Sequence, residues 1–195
     1  MASTFSPRAA ASQASLALLL LICLAGSLPA TILEKVEFDR LCQSADRIVV
    51  GTCTASACRW DRAQTTILTV FGFNLSQTIK GAPAAAVRVT TLGGIIGDRG
   101  MNVAGSPRFR IGEEYVLFLE PDTEGGWKCK GWSQGCYKVF VDSATRTRSV
   151  KGDNSGASLM GKGSATIEEG RPGRPIALST FIQSIQGHAA KGGAR

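Results

Sequence analysis

The stretch 112–121, GEEYVLFLEP, constrains this chain more than any other. Residues Tyr115 to Leu119 are all apolar, and successive side chains of a strand point to opposite faces. Such a segment needs an apolar layer on each side, so it reads as a central strand.

The rest of the chain can supply those layers. FDRLCQSA (38–45) places Phe38, Leu41, Cys42 and Ala45 on one helical stripe. DRIVVGTCTA (46–55) is β-branched and reads as a strand, WDRAQ (60–64) as a turn, and TTILTVFGFNLSQTIKG (65–81) as a long strand bent near Gly72. In AAVRVTTLGG, Val87 and Val89 alternate with Arg88 and Thr90, the pattern of a half-buried strand. GGIIGDRGMNVAGSPRF (93–109) is glycine-rich and irregular, long enough to be a functional loop. PDTEGG then turns into WKCKGWSQGCYKVFVD (127–142), read as a hairpin folded about GWSQG. Near the C-terminus, Ser179 is the expected N-cap of a helix with Phe181, Ile182 and Ile185 as its packing stripe.

This order predicts a mainly β fold: a five- to six-stranded closed barrel with a short N-terminal helix and a C-terminal helix, closure removing exposed edges. The expected divisions are a signal peptide over 1–30, the barrel over 31–142, a ragged hairpin and Gly/Ser/Pro-rich linker over 143–175, a helix over 176–188 and a tail over 189–195. The leader rests on Arg8 before LALLLLICLAG, with cleavage after Ser27 or Ala30. Ile22 before Cys23 argues against lipidation. The expected location is therefore secreted or periplasmic, with no membrane span.

Without Arg8 the 22 basic residues become 21 against 15 acidic ones, a net charge of +6. The charge is dispersed and lacks the dense basic stripe with interleaved aromatics of a nucleic-acid binder. His188, the only histidine, lies past the last apolar residue of the terminal helix, in an expected solvated tail, which argues against Ser-His or Cys-His catalysis. Cys53-x4-Cys58 and Cys129-x6-Cys136 lack the tight spacing of a zinc knuckle. GASLMGKG (156–163) has Gly163 where a phosphate-binding loop needs a hydroxyl, and it reads as linker. Asn74-Leu75-Ser76 matches the glycosylation pattern but falls within an expected strand. Asp98, Glu113, Glu114 and Glu120 are the acids that a carboxylate-dependent hydrolase would have to bring together. No metal or other cofactor is expected.

Six cysteines become five without Cys23, and in an oxidising compartment disulfides are the default for them. If GWSQG turns at Trp132 and Ser133, Cys129 faces Cys136 at about 5 Å between Cα atoms, within disulfide reach. Cys53 and Cys58 then close a smaller loop and Cys42 is the odd thiol. Alternatively, Cys42 pairs with a thiol of the late hairpin.

The order of a helix ending in Cys42, then ADRIVV, NLSQTIKG and GEEYVLFL, over residues 36–141, resembles the netrin-like domain of the tissue inhibitors of metalloproteinases. It is also similar to secreted bacterial proteins of the same plan. The resemblance implies a five-stranded OB-type barrel flanked by helices, and it implies that Cys42 pairs with Cys129 or Cys136. The family's Cys-x-Cys start is missing, since Ala30 and Thr31 stand where it would fall. Cleavage after Ala30 would leave a Thr31 amine without a disulfide to hold it.

The expected function is that of an exported binding module, not an enzyme, recognising a protein (a secreted protease among the options) or a glycan. The expected contact surface is the loop from Gly93 to Pro107, with Asp98, Arg99 and Met101, together with Trp60, Trp127 and Trp132. Metalloprotease inhibition and carboxylate-dependent hydrolysis are the alternatives.

Overall fold

The computed structural model describes residues 32–143, 145–152, 158–160, 167–169 and 175–192. The expected leader and most of the expected linker lie outside these residues. Strand β1 (Ile32–Glu34) enters helix α1 (Phe38–Ser44), and the long strands β2 (Arg47–Trp60) and β3 (Ile67–Lys80) follow. Then come β4 (Ala86–Leu92), a small hairpin of β5 (Gly94–Ile96) and β6 (Arg99–Met101), β7 (Glu114–Pro121), β8 (Trp127–Cys129), a 3-10 turn (Trp132–Gly135) and β9 (Cys136–Val141). The chain continues with β10 (Arg148–Gly152), β11 (Ser158–Met160), β12 (Ile167–Glu169), β13 (Ile176–Ala177) and helix α2 (Leu178–Gly192).

Five strands join into a ring in the order β2-β3-β4-β8-β7 and back to β2. Every pair is antiparallel except β4 with β8, which meet in parallel at Val89 and Trp127. Strands β9, β10 and β13 extend the same sheet outward from β7. β1, β11 and β12 form a separate small sheet. The β2–β3 hairpin bends round the ring because its register shifts three times, between Ile48 and Val49, Val50 and Gly51, and Cys53 and Ala55. The last shift inserts Thr54 opposite Gly72, so the expected bend is a bulge, which increases local twist.

β7 is covered on both faces, as its composition requires. Tyr115, Leu117 and Leu119 enter the ring interior with Val49, Cys53, Phe71, Phe73, Val87, Val89 and Phe109. Val116 and Phe118 face the opposite side, under α1 and α2, with Leu41, Cys42, Ile48, Val50, Phe181 and Ile185. Rings stack through both layers: Phe109 meets Phe71, Phe73 and Tyr115 edge-on at 5.0, 5.1 and 5.0 Å, and Phe38 meets Phe118 at 6.1 Å and Phe181 at 5.3 Å.

The expected hairpin about GWSQG is not formed. Cys129 pairs with Leu119 and Cys136 with Leu117, so β8 and β9 follow one another along the same edge of β7. Residues 130–135 are an excursion between two segments of one interrupted strand line. β9 folds back instead onto β10, through a turn in which Asp142 and Thr147 are hydrogen-bonded.

Two further expectations are corrected at the C-terminus. Ser179 lies inside α2 rather than at its N-cap, because the pairing of Ile176 and Ala177 with β10 lets the helix begin at Leu178. His188 is not a solvated tail residue: it lies within α2, half-buried, with its ring edge-on to Phe38 at 5.6 Å. The Gly93–Pro107 loop is less irregular than expected, since β5 and β6 pair across a turn at Gly97 and Asp98, where Gly97 has φ +60°.

Candidate functional site

A cleft of about 340 Å³ opens on the ring where three turns meet. The β2–β3 turn contributes Asp61, which accepts hydrogen bonds from the Thr65 and Thr66 amides at 2.7 and 3.1 Å and from the Thr65 hydroxyl at 3.1 Å. Burial raises this carboxyl, but the bonds from Thr66 and Thr65 outweigh it and hold Asp61 below its ordinary value, so it is charged at neutral pH. The β7–β8 turn contributes Asp122, Thr123 and Glu124, folded tightly because Gly125 and Gly126 adopt φ +92° and +82°. The third element is the 130–135 excursion, whose Trp132 is 37 % exposed and left-handed at φ +61°.

These turns are tied together. Arg59 bridges β2 to the β7–β8 turn through Glu124 at 3.1 Å. The Ser133 amide donates to the Gly105 carbonyl at 3.1 Å, and the Ser106 hydroxyl to the Leu92 carbonyl at 2.7 Å. Thr66, Thr90, Thr91 and Ser106 also line it, while Lys130 and Lys128 hold Glu120 at 2.5 and 3.5 Å. The result is a trough of mixed lining, in which Leu68, Leu92 and Pro107 stand among the polar groups, with one indole on its rim. Gly135 makes the excursion possible, since a Cβ there would lie 2.2 Å from the Lys130 carbonyl oxygen.

A second cavity, of about 820 Å³, lies beside the 102–110 loop. Within it, Glu113 accepts from Lys138 at 2.6 Å and from the Tyr115 hydroxyl at 2.7 Å, while Tyr115 accepts from the Arg110 amide at 3.1 Å. The Lys138 bond and then the Tyr115 bond hold the Glu113 carboxyl below its ordinary value. Burial, and then the Glu113 bond, push the Tyr115 hydroxyl well up, which keeps it protonated.

The expected contact residues are dispersed. Arg99 lies over the Trp60 ring at 5.9 Å, so these two are brought together, and Asp98 is exposed at the β5–β6 tip. Met101 lines a separate cavity of about 530 Å³ with Phe71, Phe109 and Ile95. Trp127 packs against the ring interior with Arg47 over its ring at 4.7 Å, a structural placement. Of the expected contact residues, Trp132 reaches the trough together with Ser106 and Pro107 from the end of the expected loop. Asp61, Thr90, Thr91 and Asp122 were not expected there; the turns WDRAQ and PDTEGG were a sequence signal for Asp61 and Asp122, and Thr90 and Thr91 of β4 carried none.

The four acids proposed for hydrolysis do not converge. Glu113 and Glu114 are consecutive on one strand line; Glu114 bonds instead to Arg148 and to the Ser76 hydroxyl at 3.2 Å. Glu120 belongs to the trough and Asp98 to the hairpin tip. Among the described residues, no group of three or more His, Cys, Asp or Glu side chains is arranged to hold a metal ion.

The cysteine expectations are also corrected. Among the described residues no two sulfurs lie at the distance of a disulfide bond. Cys42 lies on the inner face of α1, in the core between the helices and the sheet, while Cys129 and Cys136 are in the ring interior, so the sheet separates it from the late thiols that the resemblance implied. Cys53 is buried and Cys58 is exposed on the same extended strand, too far along it to close a loop. Cys129 and Cys136 do face each other, with sulfurs 2.8 Å apart across the excursion.

No protein-family model matches the chain, and no curated protein is significantly similar to it.

Proposed function

We propose that this protein is an exported, non-enzymatic binding module of OB-type closed-barrel architecture, related to the netrin-like plan, and that the trough at Trp132 holds a glycan. The observation that carries this reading is the meeting of Trp132 with Asp61, Asp122, Thr90, Thr91 and Ser106 around one cleft of about 340 Å³. Carboxylates and hydroxyls offer acceptors and donors for sugar hydroxyls, and an indole offers an apolar face for the C–H side of a pyranose. A volume near the lower end of ligand pockets suits one or two sugar units. The ring order, with the fourth and fifth strands exchanged in space, supports the OB-type reading.

The test is a titration of tryptophan fluorescence against a panel of soluble oligosaccharides, with Trp132→Ala and Asp122→Asn alongside the unaltered protein. Binding that weakens at least about tenfold in both variants supports the reading. No response to any sugar, or binding indifferent to both changes, overturns it.

One observation favours metalloprotease inhibition as a second reading. The Gln134 side chain donates to the Glu34 carbonyl at 2.9 Å and accepts from the Val36 amide at 2.9 Å. This clamp fastens the entering chain to the 3-10 turn, and preorganisation is what an inhibitory wedge needs. Absence of inhibition of secreted metalloproteases at micromolar concentration would sink it.

A further inference from the structure

The outer edge of β2 is open over a short window. At one end, the Cys53 amide donates to the Glu113 carbonyl at 2.9 Å and its carbonyl accepts from the Gly112 amide at 2.8 Å. At the other, the Trp60 carbonyl accepts from the Arg59 guanidinium at 3.1 Å. The Asp61 amide bonds inward to the Thr66 carbonyl, which sets the alternation of the β2–β3 ladder: Arg59, Ala57 and Ala55 bond to β3, while Ser56 and Cys58 point their N–H and C=O groups outward. Among the described residues, these four outward groups have no backbone partner.

Strand edges are ordinarily blunted by charge or proline. Here Thr54, Ala55, Ser56, Ala57 and Cys58 are exposed, small and uncharged. The bulge at Thr54 precedes the window rather than interrupting it.

We propose that this edge pairs with the same edge of a second copy, antiparallel, about a two-fold axis at Ala57. The register is self-complementary. Ser56 of each copy stands opposite Cys58 of the partner subunit, and each such pair exchanges two N–H···O=C bonds, which satisfies all eight outward groups of the two chains. Ala57 meets its counterpart at a non-hydrogen-bonded position, where facing side chains approach most closely and a methyl group is easily accommodated. A window this short buries less than the roughly 1,200 Å² of a standard interface, so the dimer is weak.

Sedimentation equilibrium of the purified protein over about 0.01–1 mM tests this, with reductant present so that no intermolecular bond at Cys58 contributes. Ala57→Lys sets like charges opposite each other at the axis, and Ser56→Pro removes an outward N–H without touching the β3 ladder. The expected result is a concentration-dependent dimer whose Kd rises at least about tenfold in both variants, with circular dichroism spectra unchanged. A strict monomer throughout the range overturns the proposal. So does a dimer that both folded variants leave intact, because another face would then hold it, and so does a monomer that binds only foreign extended peptides along this edge.

Discussion

Cys129 and Cys136 bring their sulfurs to 2.8 Å from one another although they lie on the same side of β7, opposite Leu119 and Leu117, with the whole 130–135 excursion looped out between them. The excursion carries Trp132 to the trough and Gln134 to the entering chain. The pair thus stands at the neck of the loop on which both functional readings depend.

The thiols should differ sharply in reactivity. Cys58 is exposed, whereas Cys42, Cys53, Cys129 and Cys136 are buried. Burial pushes the Cys42 thiol up to about 11 and raises Cys53 as well, which leaves little reactive thiolate. Alkylation of the reduced native protein, followed by peptide mass mapping, should label Cys58 first among these five. Rapid native labelling of Cys129 or Cys136 would contradict the packing of the ring interior.

Gly135→Ala should destabilise the protein by about 2 kcal/mol, as overpacking does. The added Cβ would meet the Lys130 carbonyl at 2.2 Å and the Phe118 carbonyl at 3.3 Å, both backbone atoms that cannot rotate away. Gly97→Ala is the control, since no atom lies within 4 Å of a Cβ at that position; its left-handed φ adds about 1 kcal/mol of strain. Urea unfolding of the two variants checks the ranking, and an equal or reversed order would refute it.

The two layers on β7 should respond separately. Leu117→Ala empties space inside the ring and Phe118→Ala empties it under the helices, each at a cost of about 3 kcal/mol. Only Phe118→Ala should loosen α1, because Phe38 packs on that ring. Amide exchange over 38–44 and over 67–75 distinguishes the two, and protection lost equally in both segments would show a single coupled core.

Stability should depend on Glu113 in the acid range. Lys138 and Tyr115 hold its carboxyl below the ordinary value near 4.5. A folded pKa below the unfolded one contributes stability that is present above the unfolded value and lost as pH falls through the folded one. The difference in unfolding midpoint between the unaltered protein and Glu113→Gln should therefore be seen at about pH 6 and shrink at about pH 3. A difference that is constant across that interval would assign it to packing instead.

Much of the fold is local enough to read directly. The apolar run 115–119 requires two covered faces, and β7 has them. Val87 and Val89 are buried and Arg88 is exposed, as alternation demands, although Thr90 on the expected polar face is buried too; Leu41 and Cys42 pack inward on α1. These features depend on periodicity and side-chain character, which act within a few residues. The excursion at 130–135 could not be read this way. GWSQG flanked by two cysteines fits a hairpin equally well, and the choice was made by β7, whose one edge accepts both β8 and β9.

What the sequence by itself determined, then, is the main strands and the two helices, and that both faces of β7 must be dry; it did not determine β5, β6, β11 or the 130–135 excursion. The tertiary structure alone decided which edges meet, that Cys42 and the late thiols lie on opposite sides of the sheet, and that Asp61, Asp122 and Trp132 share one cleft. The physical reason is range. Alternation and helical stripes are local properties of the chain, while ring order and cleft composition arise from pairings between distant strands, set by the joint packing of two cores rather than by any one segment.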